Sequence, residues 1–163
     1  MVAPLTVSQD SDDTSWSEKI VDDWDAFLPL EIDDNNYYWQ RMTQFHAIAA
    51  EHFKGRCLLA EIDMHSNIDL LEGLRGAQRL LFDMIDTPDT IERAMLQARA
   101  LFTRVSDRFD EFGDKQSLGT TCALPMYDRG RYNRIQADFI ALLNPALFRR
   151  FVLPALVEEA RSL

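Results

Sequence analysis

The chain has 163 residues, 47% of them apolar, and a formal net charge of −10. That length and composition suit one globular domain with its own core. The charge excludes a nucleic-acid partner, which needs clustered Lys and Arg, and offers nothing to an anionic membrane. The acidic excess reads as a solubilising surface. Cys57 and Cys122 form no CxxC pair and are expected as buried, reduced thiols. No apolar run follows a basic N-terminal segment, and no stretch reaches the roughly 18 apolar residues of a membrane span. A cytoplasmic protein is the expectation.

Residues 1–34 read as a polar N-terminal segment. Its Ser8-Gln9-Asp10-Ser11-Asp12-Asp13 run is acidic and expected to be flexible. Trp16, Ile20, Val21, Trp24, Phe27 and Leu28 return at helical spacing, which predicts a short amphipathic helix ended by Pro29. Asp33-Asp34-Asn35-Asn36 supplies N-cap candidates for a helix through Phe53. Tyr38, Met42, Phe45, Ala49 and Phe53 would form its apolar face, and Gly55 would stop it.

Cys57 to Ile62 is a short, mostly apolar run and predicts a buried strand, with Asp63, Met64 and His65 at its end. Asn67 to Ile85 predicts one or two helices, punctuated at Arg75-Gly76. Thr87-Pro88 opens a long helix. Ile91, Met95, Ala98, Phe102, Val105, Phe109 and Phe112 recur in steps of four and three, a core stripe, and Gly113 ends it. Leu118 to Met126 predicts a second strand, followed by an Asp128-Arg129-Gly130 turn. Tyr132 to Ala137 predicts a third, with Asp138 at its carboxyl end. Asn144-Pro145 then starts a helix: Asn caps it, and Pro fits the first turn, where no N–H is needed. Its apolar face is Leu147, Phe148, Phe151, Val152 and Leu156.

Alternating helices and strands predict an α/β fold with a largely parallel sheet. Three buried-type strands cannot cover both of their faces, and the chain ends within an amphipathic helix at Glu159–Leu163. Residues 35–163 are therefore expected to be part of a larger domain.

Several pieces resemble the uroporphyrinogen decarboxylase-like family. One is the Pro-x-x-Phe-x-x-Phe-x-x-Pro pattern of Pro145, Phe148, Phe151 and Pro154 after a strand ending in a polar residue. Another is Asp63 to Asp69 leading into Leu74-Arg75-Gly76, and a third is Asp86-Thr87-Pro88 before the long helix. These pieces follow the family's order over roughly 57–163 and lie nearest its uncharacterised and methyltransferase-like branches. The resemblance implies about half of a (β/α)8 TIM barrel, truncated at its C-terminus, with the cleft at the strands' carboxyl ends.

It also implies a lyase of porphyrin metabolism: a decarboxylase that needs no organic cofactor and no metal and acts on a tetrapyrrole. The alternative is a corrinoid-linked methyltransferase carrying zinc or a corrinoid. The decarboxylases' arginine-rich N-terminal motif is absent, and His46, His52, His65, Cys57 and Cys122 do not form the methyltransferases' His-x-Cys…Cys set. Asp138 aligns with a cleft-facing position and is the first catalytic candidate, against a plain turn aspartate. Asp63 and His65 are the others: the carboxylate would fix the imidazole tautomer for proton transfer, and the alternative is a satisfied loop histidine. Tyr127 and Arg129 would line the mouth and bind substrate, unless Arg129 is simply solvated. Asp69 reads as a helix-capping residue, with substrate binding as the alternative, and Arg75 as a structural pairing residue. A non-catalytic reading stands beside the enzyme: a half whose apolar edge binds a missing C-terminal half or a second copy.

Overall fold

The computed structural model describes residues 5–7, 15–124 and 126–163. The flexibility expected for Ser8–Asp13 falls outside those residues. The helices are α1 (Trp24–Phe27), α2 (Tyr37–His52), α3 (Asn67–Arg75), α4 (Ala77–Asp86), α5 (Pro88–Asp110), α6 (Lys115–Leu118), α7 (Pro145–Leu147) and α8 (Leu153–Ser162). Two short ladders accompany them. Strand β1 (Leu5–Val7) pairs antiparallel with β2 (Ser15–Ser17), and β3 (Thr120–Thr121) pairs antiparallel with β4 (Tyr127–Asp128).

Helix α5 is the axis of the fold. Its predicted stripe is buried at Ile91, Met95, Ala98, Phe102 and Phe109 and half-buried at Val105, while Phe112 is buried just beyond the helix's end. Against it lie Ile68, Leu71 and Leu74 of α3, Leu80 and Met84 of α4, and Ala155 of α8. Alanines at Ala94, Ala98 and Ala155 leave room for close helix approach. Gly76, at φ 91°, breaks α3 from α4, as the Arg75-Gly76 punctuation predicts. Arg75 itself is structural: it holds the Asp83 carboxylate through two nitrogens (2.7 and 2.9 Å) and the carbonyl of Val21 (2.9 Å). The N-terminal segment joins the same core through Val21, Trp24 and Leu30. Backbone N–H groups of Ile20 and Val21 donate to the Leu74 carbonyl, and the Trp24 indole donates to Asp83 (2.8 Å).

The C-terminal helix forms as expected at its start, with Asn144 Oδ1 accepting from the N–H groups of Ala146 and Leu147. Between α7 and α8 the chain widens into a π turn over Phe148–Val152, where Leu153 N–H reaches Phe148 O. Pro154 explains the widening: it has no N–H to donate, and its ring crowds the carbonyl four residues back. The predicted apolar face still packs, with Phe151 and Val152 fully buried.

Helix α2 differs from expectation. Asn36 caps it as predicted, accepting from Tyr38 N–H and Trp39 N–H. Of its predicted apolar face, Ala49 alone is buried, while Tyr38, Met42, Phe45 and Phe53 are exposed. Trp39 and His46 turn inward instead, meeting the Phe109 ring edge-on at 5.8 and 4.6 Å. The amphipathic indole and imidazole rings bury their apolar bodies in this seam in place of the predicted face.

The expected half-barrel is corrected. Neither Cys57–Ile62 nor Tyr132–Ala137 forms a strand, and Leu118–Met126 supplies only two residues to a hairpin. All pairing among the described residues is antiparallel and two-stranded. A buried parallel strand needs hydrogen-bonding neighbours and cover on both faces. Here Cys57 is exposed, and among the described residues the single backbone bond between the Cys57–Ile62 and Leu118–Met126 runs is Glu61 N–H to Thr121 O (2.7 Å). The helices bury their stripes against one another, so the apolar runs become connecting chain. The β3–β4 hairpin requires Gly119: a Cβ there would lie 2.5 Å from Asp128 O and 2.7 Å from the Tyr127 hydroxyl oxygen.

Candidate functional site

The loop after residue 62 turns into α3, placing His65 and Ser66 just before it and Asp69 in its first turn. Asp69 is almost fully buried, which an isolated carboxylate resists. Its partners come from 70 residues away. Its two oxygens accept the backbone N–H groups of Asp138 (2.8 Å) and Phe139 (2.9 Å). Those are the orphan donors at the start of a 3₁₀ turn, Asp138–Leu142, so Asp69 caps a turn on a distant segment rather than its own helix.

That long-range cap brings Asp138 to His65. Ligating atoms of His65, Asp69 and Asp138 all lie within 4.8 Å of one another. His65 and Asp138 are exposed, and no hydrogen bond from a described residue reaches the His65 ring. The three side chains line one cavity of 550 Å³, together with Lys19 and Phe139. A second cavity of 420 Å³ shares His65 and Asp69 and has apolar walls from Leu30, Leu70, Leu101 and Phe102. Both fall within the range of about 300–1,000 Å³ usual for small-molecule sites.

Behind the cluster lies a buried polar network. Glu159 Oε2 accepts from Ser66 Oγ (3.1 Å) and Asn67 Nδ2 (3.0 Å), and Asn67 Nδ2 also reaches Gln136 O (3.1 Å). Three segments are thereby tied: the turn before α3, the chain before Asp138, and α8. Asn67 is held at φ 43°, in the left-handed region that asparagine tolerates better than most residues. Glu159 is 1% exposed, and its Oε1 has no hydrogen-bond partner among the described residues. Burial pushes its carboxyl up to about 7, against the hydrogen bonds from Asn67 and Ser66 and the charge of Arg99, while Asp69 pushes it further up. Glu61 forms a separate buried pair with Lys115, whose Nζ also donates to Phe109 O (2.9 Å). Burial raises the Glu61 carboxyl, and Lys115 opposes the rise.

Of the residues singled out from the sequence, His65, Asp69 and Asp138 come together. Asp63 does not orient the imidazole as expected; it pairs with Arg134. Tyr127 and Arg129 are exposed on the β3–β4 hairpin and line neither cavity, because the run before them folds back instead of ending at a sheet edge. The Tyr127 hydroxyl donates to Leu118 O (2.9 Å). Sequence reasoning missed Ser66, Asn67 and Glu159. Glu159 was detectable, since it follows Val152 and Ala155 on the buried stripe of the last helix, where an acid is out of place. Cys57 is exposed, contrary to expectation, while Cys122 is buried. Neither cysteine joins a group of metal-ligating side chains among the described residues, so nothing there matches a thiolate zinc set. Among the described residues no helix is long and apolar enough to cross a membrane. No family model matches the chain, and neither a curated protein nor a solved structure matches it.

Proposed function

We propose that the His65–Asp69–Asp138 cleft is the site of a carboxy-lyase of the uroporphyrinogen decarboxylase-like kind, acting on a tetrapyrrole that bears carboxylate side chains. One observation carries this reading: His65 and Asp138, separated by more than 70 residues, converge beside an apolar cavity. The Asp138 carboxylate accepts pyrrole N–H hydrogen bonds and stabilises the cation formed when a pyrrole carbon is protonated. His65, beside Asp138, delivers that proton. The protonated ring then draws in the electron pair of the breaking C–COO⁻ bond. Carbon dioxide leaves, and protonation of the exocyclic carbon with loss of the ring proton gives the methyl product, one proton being consumed overall. The apolar walls of the neighbouring cavity exclude water from the ring.

The test is anaerobic incubation with uroporphyrinogen and chromatography of the products, with binding of the oxidised porphyrin followed by fluorescence. Asp138→Asn should cut turnover by orders of magnitude and leave the circular dichroism spectrum unchanged. Equal turnover in Asp138→Asn, or a wild-type chain that neither binds nor converts the porphyrin, refutes the assignment.

A second reading, self-association, is favoured by the uncovered face of α2. Tyr37, Tyr38, Met42, Phe45 and Ile48 are all exposed along it, a run that isolated soluble chains seldom present. Size-exclusion chromatography with dye binding tests it, and a clean monomer that binds no dye removes it.

A further inference from the structure

We propose that His65, Asp69 and Asp138 bind one divalent transition-metal ion of the zinc class. The inference uses the same cleft as the proposed reaction but does not depend on it: nothing in the decarboxylation needs a metal, and an ion held by His65 and Asp138 would be an alternative use of those two side chains.

Three ligating atoms from two chain segments lie within 4.8 Å of one another around one cavity. An ion bonded at about 2.0–2.2 Å holds its ligands no more than about 4 Å apart, so no pair in the cluster need close by more than about 1 Å. Asp69 cannot move far, because two backbone N–H groups hold it. His65 and Asp138 are exposed and free to rotate onto an ion seated against Asp69. Each Asp69 oxygen accepts one hydrogen bond and keeps a second lone pair.

Charge points the same way. Neither Asp69 nor Asp138 has an ion-pair partner among the described residues. Lys19 lines the cavity but is engaged by Glu72 at 3.2 Å. Two carboxylates in a concave site whose lining lysine is already paired with Glu72 invite a cation, and the imidazole selects zinc-class ions over magnesium or calcium. Ser66 and Asn67, which follow His65, are hydrogen-bonded to Glu159 and so fix the turn that carries the imidazole. Three protein ligands leave a coordination position open to the cavity, as in catalytic rather than structural zinc sites.

Titration of the full chain with ZnCl₂ against a chromophoric chelator tests this. One ion per chain is expected. His65→Ala and Asp138→Asn should each weaken binding at least tenfold, and both should keep the wild-type circular dichroism spectrum because both side chains are exposed. Cys57→Ser and His52→Ala should bind as the wild type does. No zinc binding by the wild type overturns the proposal. So does unchanged affinity in His65→Ala and Asp138→Asn, or loss of binding in Cys57→Ser. Zinc binding without porphyrinogen turnover sinks only the decarboxylase reading; turnover without zinc binding sinks only this one.

Discussion

Replacing Glu159 by glutamine should change how stability depends on pH more than it changes the fold. In the unfolded chain this carboxyl titrates near its ordinary 4.5, and in the folded chain burial raises it to about 7. Below 4.5 both states hold the proton and the residue adds no pH dependence. Between 4.5 and 7 the unfolded state ionises while the folded state keeps its proton, so stability falls as pH rises. Above 7 both are ionised and the loss is complete. The gap of about 2.5 pH units, at about 1.4 kcal/mol each, is a loss of about 3.5 kcal/mol across that window. The amide introduced by Glu159→Gln would keep an acceptor for Ser66 and Asn67 without titrating. Asp69 and Arg99, the charged groups that act on the site, stay in place. Urea unfolding followed by helical circular dichroism at pH 4.5, 6, 7 and 8 checks this. The variant should overtake the wild type as pH rises and be more stable by about 2–3 kcal/mol at pH 8. Parallel curves for the two proteins would refute the reasoning.

Removing one side of the buried Glu61–Lys115 pair should be expensive. Lys115→Met leaves an unpaired buried carboxylate and should cost about 3–5 kcal/mol in urea unfolding, while Glu61→Leu combined with Lys115→Met should recover most of it. Phe151→Ala empties a fully buried position among α3, α5 and α8 and should cost about 3–5 kcal/mol by the same measurement. The two proline-led helices should respond differently to loss of their N-caps. Asn144→Ala removes two accepted N–H bonds and should cost about 1 kcal/mol. Thr87→Ala should cost less in thermal unfolding, because the Thr87 hydroxyl donates back to Asp83 O instead of capping.

The sequence by itself determined the local pieces. The stripe of α5, the break at Gly76, the Asn36 and Asn144 caps and the apolar face of the last helix all follow from spacing and capping chemistry within a few residues, and each stands in the structure as expected. Strands could not be settled this way. An apolar run such as Cys57–Ile62 becomes a strand only if a neighbour supplies hydrogen bonds, and no local pattern says whether one will. The inward face of α2 was likewise decided by which rings Phe109 and Phe112 offered it. The site divides along the same line. His65, Asp69 and Asp138 could be picked from the sequence as chemistry-bearing residues. Their meeting depends on a carboxylate capping a turn some 70 residues away, and the support beneath them depends on an acid carried in by the last helix. Contacts between distant segments are set by how the helices pack, and only the tertiary structure holds that information.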